Sequence, residues 1–367
     1  MEKISNKEAI ALIITIIVNN FVLVTAQIIV ETCSSASLIN ALYVSLIAIF
    51  LTWIICILFK RFNGQDILDV SNFLGGKILR SIVGIVFLGY LLFRIAILLR
   101  RLTNCLQIIN YPVTNIVYLI LIFIVAAGIV CNLKNRCIPK AIYIFLPIIL
   151  SSLVLAFIGN QENFDYDAIY PILGHGIEST FFSGLSNLAA FSGIVYLYFL
   201  PPDLKEPHKF KKIAIISIVL SAIFLLLTIG NILFMFDNIL SSSELFPSYL
   251  VVRYIEFGPF FQRLDSVFLL IWNISFISVF SIVVNLCINI FKKTANLTDE
   301  KPIIYPVLLT IFGITLLINK NSLLRFLEGD ISRILFFLVV VGLGLLILLL
   351  SNIKYKILSK KKGENNE

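Results

Sequence analysis

Charge is scarce in this chain. Only 14% of its 367 residues are Asp, Glu, Lys or Arg, against about 25% in a soluble domain. Too few polar side chains remain to cover a water-facing surface, which excludes an ordinary soluble fold. Histidine is scarcer still. His175 and His208 are the only two, and both lie in connecting segments. No H-E-x-x-H, G-x-S-x-G or Walker pattern occurs, so the usual hydrolase and nucleotide-binding chemistries have no anchor. The six cysteines (Cys33, Cys56, Cys105, Cys131, Cys137 and Cys287) are scattered without a C-x-x-C spacing. That removes a zinc site and leaves them as small buried hydrophobes. Cys33 and Cys105 both fall near the outer surface, so a disulfide between them is the alternative to two free thiols. Asp165 and Asp167 in FDYDAIY form a close carboxylate pair, but they sit in an outer acidic loop with no partner machinery. No enzymatic activity, metal or cofactor is expected, and no nucleic-acid partner.

What the chain has instead is apolar length. Hydrophobic residues make up 59%, including 31 phenylalanines. A bilayer accepts such side chains without penalty, and a spanning helix needs roughly 20 of them. Ten runs qualify as candidate membrane helices: residues 9–31, 37–59, 79–103, 116–132, 139–158, 181–200, 213–236, 264–291, 303–319 and 331–353. The first is too long for the apolar core of a signal peptide and is read as a membrane helix. Residues 1–353 form a single polytopic membrane domain, followed by a polar cytoplasmic tail at 354–367.

The basic residues orient these helices. With the N-terminus inside, inner segments hold Lys3 and Lys7; Lys60, Arg61, Lys77 and Arg80; Lys134, Arg136 and Lys140; Lys205, Lys209, Lys211 and Lys212; Lys292, Lys293 and Lys301; and Lys354, Lys356, Lys360, Lys361 and Lys362. That is 21 of the 29, as the positive-inside rule requires. An even number of crossings then leaves both termini in the cytoplasm. Two connectors look structured: an interfacial helix near 65–75, and an outer helix within 241–258. The outer one starts either with a Ser241/Glu244 capping box or at Pro247, and Gly258 and Pro259 end it.

Ten helices divide into five and five, and the first of each half carries amide and small residues at its middle. The first span has Asn19 and Asn20, followed by Val22; the sixth has Asn187, then Ala190, Phe191, Ser192 and Gly193. Such residues either re-satisfy backbone freed by unwinding at a ligand site, or make ordinary interhelical hydrogen bonds. Arg94 lies deep in the third span, where a charge costs at least ~3 kcal/mol unless solvated or paired. It shares a face with Arg101. Arg100 points elsewhere and can snorkel to the headgroups. Asp265 opens the eighth span beside Arg263 and is placed to pair with it or with a third-span arginine. Arg101, Arg263 and Asp265 thus form a candidate outer polar cluster, while Trp272 and Asn273 two turns deeper are candidate walls of a pocket.

The order of features resembles the B subunits of spore nutrient germinant receptors, the GerAB-type germination proteins of the amino acid–polyamine–organocation permease superfamily. The resemblance rests on KRFNGQDIL at Lys60–Leu68, Leu99-Arg100, Pro112, YPILGHGI at Tyr170–Ile177, Ala190-Phe191, and FQRLD followed by tryptophan over Phe261–Trp272. It departs at Val18-Asn19, where the family often has Leu-Gly. It departs again at Ser192-Gly193, where Pro-Phe-Gly-Glu is common, and at Arg101, where an acid is common. The resemblance implies an all-α integral membrane fold of five-plus-five inverted repeats, as in LeuT. It implies a pocket between the first, third, sixth and eighth helices for a small germinant such as an amino acid. It also implies an A-type membrane subunit and a C-type lipoprotein as partners in the spore inner membrane. An active amino-acid transporter of the same fold is the alternative.

Overall fold

The computed structural model describes residues 3–132, 137–236, 246–255 and 264–364. These residues are overwhelmingly helical, and the one strand-like feature among them is an isolated bridge between Ile4 and Leu204. Helix α1 (Asn6–Asn20) starts at a capping box in which the Ser5 amide donates to Glu8 Oε2 at 2.8 Å and Glu8 closes back on Ser5. It passes through a wider, π-type turn at Phe21–Thr25 into α2 (Ala26–Cys33). The chain reverses at Ser34, which takes φ 52°, and returns as α3 (Ser37–Phe59). Helix α4 (Ile67–Ile109) opens with a second capping box, Asp66 and Asp69. It bends at Gly75-Gly76, where Gly76 has φ 72° and so needs a residue without Cβ. The segment 67–74 ahead of the bend is the structured connector expected from the sequence.

Helices α5 (Ile116–Asn132) and α6 (Cys137–Gly159) follow. Next comes a 3₁₀ helix over Ser183–Tyr198, entered through a π-type turn at Glu178–Phe182 and bent at Phe191. The rest comprises α7 (Phe210–Met235), the short helix α8 (Pro247–Arg253), α9 (Leu264–Ala295), α10 (Lys301–Leu317), α11 (Asn321–Phe326), α12 (Ser332–Leu335) and α13 (Gly344–Glu364). Turns of π type at Leu327–Ile331 and Phe336–Leu343 join the last three. Proline stands at the first position of α8; the Ser241, Glu244, Gly258 and Pro259 readings lie outside the described residues, as does Arg263. The C-terminal helix runs through Lys354 to Glu364, into the segment read from the sequence as a polar tail. Its continuation is held in place. Lys354 Nζ donates to the Phe73 and Leu74 carbonyls at 2.9 Å each. Tyr355 packs against Phe62 and Phe73.

Among the described residues, seven helical stretches are long and apolar enough to cross a membrane. One of them, Asn6–Phe59, is the two legs about Ser34; α5 and α10 are shorter apolar helices. The outer surface suits lipid. On α3, Leu42, Leu46, Phe50, Trp53 and Ile57 are exposed and recur every three or four residues, forming one apolar stripe. Ala41, Val44, Ala48, Leu51, Ile55 and Phe59 of the same helix are buried. A large exposed apolar surface on an all-helical chain makes this an integral membrane protein.

Helix α1 is buried on every side from Ala11 to Asn20. It packs against α6, α7, α9 and the Ser183–Tyr198 helix. Helix α3 packs on α7 and on the Ser183–Tyr198 helix; α4 on α5, α9, α10 and α13; and α9 on α5, α6 and α10.

Candidate ligand site at the helix distortions

The two amide-and-small-residue stretches are where helix geometry changes. Neither is unwound. Asn20 and Ala26 keep ordinary helical dihedrals on either side of the π-type turn. The Ser183–Tyr198 helix stays helical except for Phe191, at φ −93° and ψ 26°. A wide turn shifts one hydrogen-bond register and leaves carbonyls off the normal ladder, which distorts the helix without opening it. Of the two readings, unwinding or ordinary interhelical hydrogen bonding, the geometry is that of a widened turn facing a bent helix, with no unwound stretch.

Side chains tie the two distortions together. Asn20 Nδ2 donates to the Ala190 carbonyl at 3.0 Å and more weakly to Ala189 at 3.4 Å. Its Oδ1 accepts from Arg94 Nη2, and the same nitrogen reaches Ser192 Oγ at 3.2 Å. Thr25 Oγ1 closes the π-type turn on the Asn20 carbonyl at 3.2 Å. One guanidinium thus clasps α1, α4 and the Ser183–Tyr198 helix. Arg94 is 8% exposed, so it faces protein, not lipid. Asn19 takes another direction, donating to Ser275 Oγ on α9 at 2.7 Å.

Beside the clasp is a cavity of about 40 Å³, bordered by Asn20, Tyr90, Arg94, Ser192, Tyr196 and Val279, among others. Of the expected pocket residues, Asn20, Arg94, Ser192 and Gly193 line it; Asn19, Val22, Ala190, Phe191, Trp272 and Asn273 do not. Val22 contributes its carbonyl to Ser248 Oγ at 2.9 Å. Trp272 packs at a tilt against Phe268 with its indole nitrogen unbonded, about one turn before Ser275 and two before Val279. A Cβ on Gly193 would come 2.5 Å from Ile17, so enlarging this residue separates two helices before it fills the cavity.

The outer cluster is reassembled with different partners. Arg101 Nη1 lies 3.6 Å from Glu328, its Nη2 donates to Gln27, and its guanidinium stands 4.8 Å over the Phe246 ring. Asp265 accepts from Tyr249 Oη at 2.8 Å. Arg100, expected to snorkel, is buried at 8% exposure. Cys33 and Cys105 are both free. Further out, Asn187 donates to Asn40 Oδ1 and accepts from Arg333, both at 2.8 Å, while Asn40 holds the Thr180 carbonyl at 2.7 Å. Glu328, Gln27, Asn40, Arg333 and Ser275 were not singled out from the sequence. Glu328 and Arg333 carried a signal, being charges at the edge of the last apolar run.

Comparison with known proteins agrees with this architecture. A family model described as "Spore germination protein" matches residues 3–323. Similar proteins include "Spore germination protein B2" of Bacillus subtilis (strain 168), 22% identical over 66% of this chain and 66% of its own length. "Spore germination protein A2" of the same strain is 24% identical over 65% of this chain and 64% of its own. "Spore germination protein XB" of Bacillus anthracis is 23% identical over 41% and 42%. The chain thus spans just under two thirds, or less, of the length of these relatives. With the family model covering most of the chain, this all-helical membrane protein belongs to the spore germination protein family.

Proposed function

We propose that this protein is the nutrient-sensing subunit of a spore germinant receptor, binding a small molecule such as an amino acid at the Arg94–Asn20–Ser192 clasp. The observation that carries this reading is the clasp itself, a buried charge joining three helices where two of them are distorted. Occupancy there acts on all three helices at once, which is what a sensor needs. The chemistry is binding, not catalysis. In this reading both termini face the spore core, the membrane is the spore inner membrane, and the partners are an A-type membrane subunit and a C-type lipoprotein.

The reading includes ten crossings in two inverted halves. The packing supports it. Exchange α1 with the Ser183–Tyr198 helix, α3 with α7, α4 with α9, α5 with α10, and α6 with α13. Then α4 on α13 maps to α9 on α6, α5 on α9 to α10 on α4, and α1 on α7 to the Ser183–Tyr198 helix on α3. Each of these pairs is in contact. The topology is tested by cysteine labelling in a variant without the native thiols. Asn163→Cys is expected to react with an impermeant reagent from outside and Lys209→Cys is not; labelling of position 209 from outside overturns the ten-crossing scheme.

Val279→Phe fills the cavity beside the clasp from α9, at an overpacking cost of about 1–3 kcal/mol. It is expected to raise the germinant concentration for half-response at least about tenfold while the protein remains in the membrane, a shift worth about 1.4 kcal/mol. Unchanged sensitivity at normal abundance would count against this pocket. Uptake of radiolabelled amino acids into vesicles separates the sensor from an active transporter of the same fold, because only the transporter accumulates label.

A further inference from the structure

The cavity is rich in donors and poor in acceptors. Arg94 presents a guanidinium whose hydrogen-bond partners are two neutral oxygens, Asn20 Oδ1 and Ser192 Oγ. Tyr90 and Tyr196 border the same space, at 3% and 6% exposure; the Tyr90 hydroxyl is turned to Ser192, and the Tyr196 hydroxyl makes no hydrogen bond. No Asp or Glu is among the described residues lining it. Glu328 feels the Arg94 charge through space, but its carboxylate is engaged by Arg101 at 3.6 Å. A buried cation with neutral partners and an idle O–H donor beside it, that of Tyr196, is an incomplete ion pair. Its natural complement is a carboxylate, which accepts from a guanidinium through charge-assisted bonds stronger than those to an amide or hydroxyl oxygen.

We propose that Arg94 is the receptor for the ligand's carboxylate, and that the ligand takes Arg94 away from Asn20 and Ser192. This rests on the pocket reading above. The cavity of about 40 Å³ holds about three waters, too little for an amino acid while the clasp is closed. Binding and clasp opening are therefore one event. Asn20 Oδ1, once released, becomes an acceptor for an ammonium group. It stays tethered through Nδ2 to the Ala190 carbonyl, so its movement is felt at the bend of the Ser183–Tyr198 helix. The ligand class is a small carboxylic acid, with or without an amino group, and excludes amines that lack the acid.

The test uses the full chain in lipid nanodiscs, with thermal unfolding as readout and the proteinogenic L-amino acids, propionate and the matching carboxamides as probes. Wild type is expected to be stabilised by one or more acids and at least about tenfold less by the corresponding amide. Arg94→Gln is expected to lose that preference. Asn20→Asp supplies a carboxylate from within, though it loses the donor to the Ala190 carbonyl, so it is expected to insert and to ignore added acid. Equal stabilisation by acid and amide overturns the proposal, as does an Arg94→Gln protein that keeps the preference, or a wild type that no acid stabilises. Val279→Phe separates the two ideas. If acids stabilise it as they do wild type, the pocket is elsewhere; if it loses binding while Arg94→Gln keeps the acid preference, the pocket stands and the role of Arg94 falls.

Discussion

Replacing Arg94 by leucine is expected to raise the germinant concentration for half-response by about a hundredfold, or to abolish the response, with the protein still inserted. Hydrogen bonds to a charged group are worth about 1.5–3 kcal/mol each, and every 1.4 kcal/mol is about a factor of ten. A bound carboxylate takes up to two such bonds from the Arg94 guanidinium, and leucine offers none. Insertion does not suffer, because exchanging a central arginine for leucine removes about 3 kcal/mol of unfavourable transfer. Membrane abundance and a dose–response curve, measured together, check the result. A leucine variant with normal sensitivity would remove Arg94 from the site. Loss of protein from the membrane would mean that the clasp holds the fold together and is not part of the response.

Asn187→Leu is expected to act on stability instead. The side chain is fully buried and satisfies two neighbours at once, Asn40 Oδ1 and Arg333 Nη2. Leucine strands both. An unsatisfied buried group costs about 1–3 kcal/mol, though Arg333 keeps a longer contact to Thr32 at 3.3 Å. A net loss of about 2–4 kcal/mol follows, visible as a fall of several degrees or more in the melting temperature in detergent. Asn187→Asp keeps an acceptor for Arg333 and loses only the donor to Asn40, so it is expected to be milder. Equal melting of the leucine variant and wild type would show that this junction carries no stability.

The sequence made the membrane architecture legible because lipid imposes one simple rule, a long apolar run for each crossing. The exposed stripe on α3 and the deep burial of Arg94 both follow from it. It also pointed to the stretches around Asn20 and Ala190–Gly193, since amides and small residues inside apolar helices require a reason. The partners were harder to read. Arg101 meets Glu328 and Asp265 meets Tyr249, pairings made between different helices, for which spacing within one helix offers no guide. Trp272 was read by depth alone. The rotation of α9 presents Ser275 to Asn19 and Val279 to the cavity instead, and depth cannot fix rotation when a helix is apolar all round.

The Ser183–Tyr198 helix has a mechanical consequence. Its 16 residues have a contour of about 32 Å at the ~2.0 Å rise of a 3₁₀ helix, divided by the bend at Phe191 into two segments. The same residues in α form, at 1.5 Å each, reach about 24 Å. Changing hydrogen-bond partner from three residues away to four would therefore shorten this contour by about a quarter. Its C-terminal end continues into Asp203, whose carbonyl receives the Ile4 amide at 2.8 Å. A change of winding would thus become a pull on the N-terminal segment at Ile4, which also bridges to Leu204.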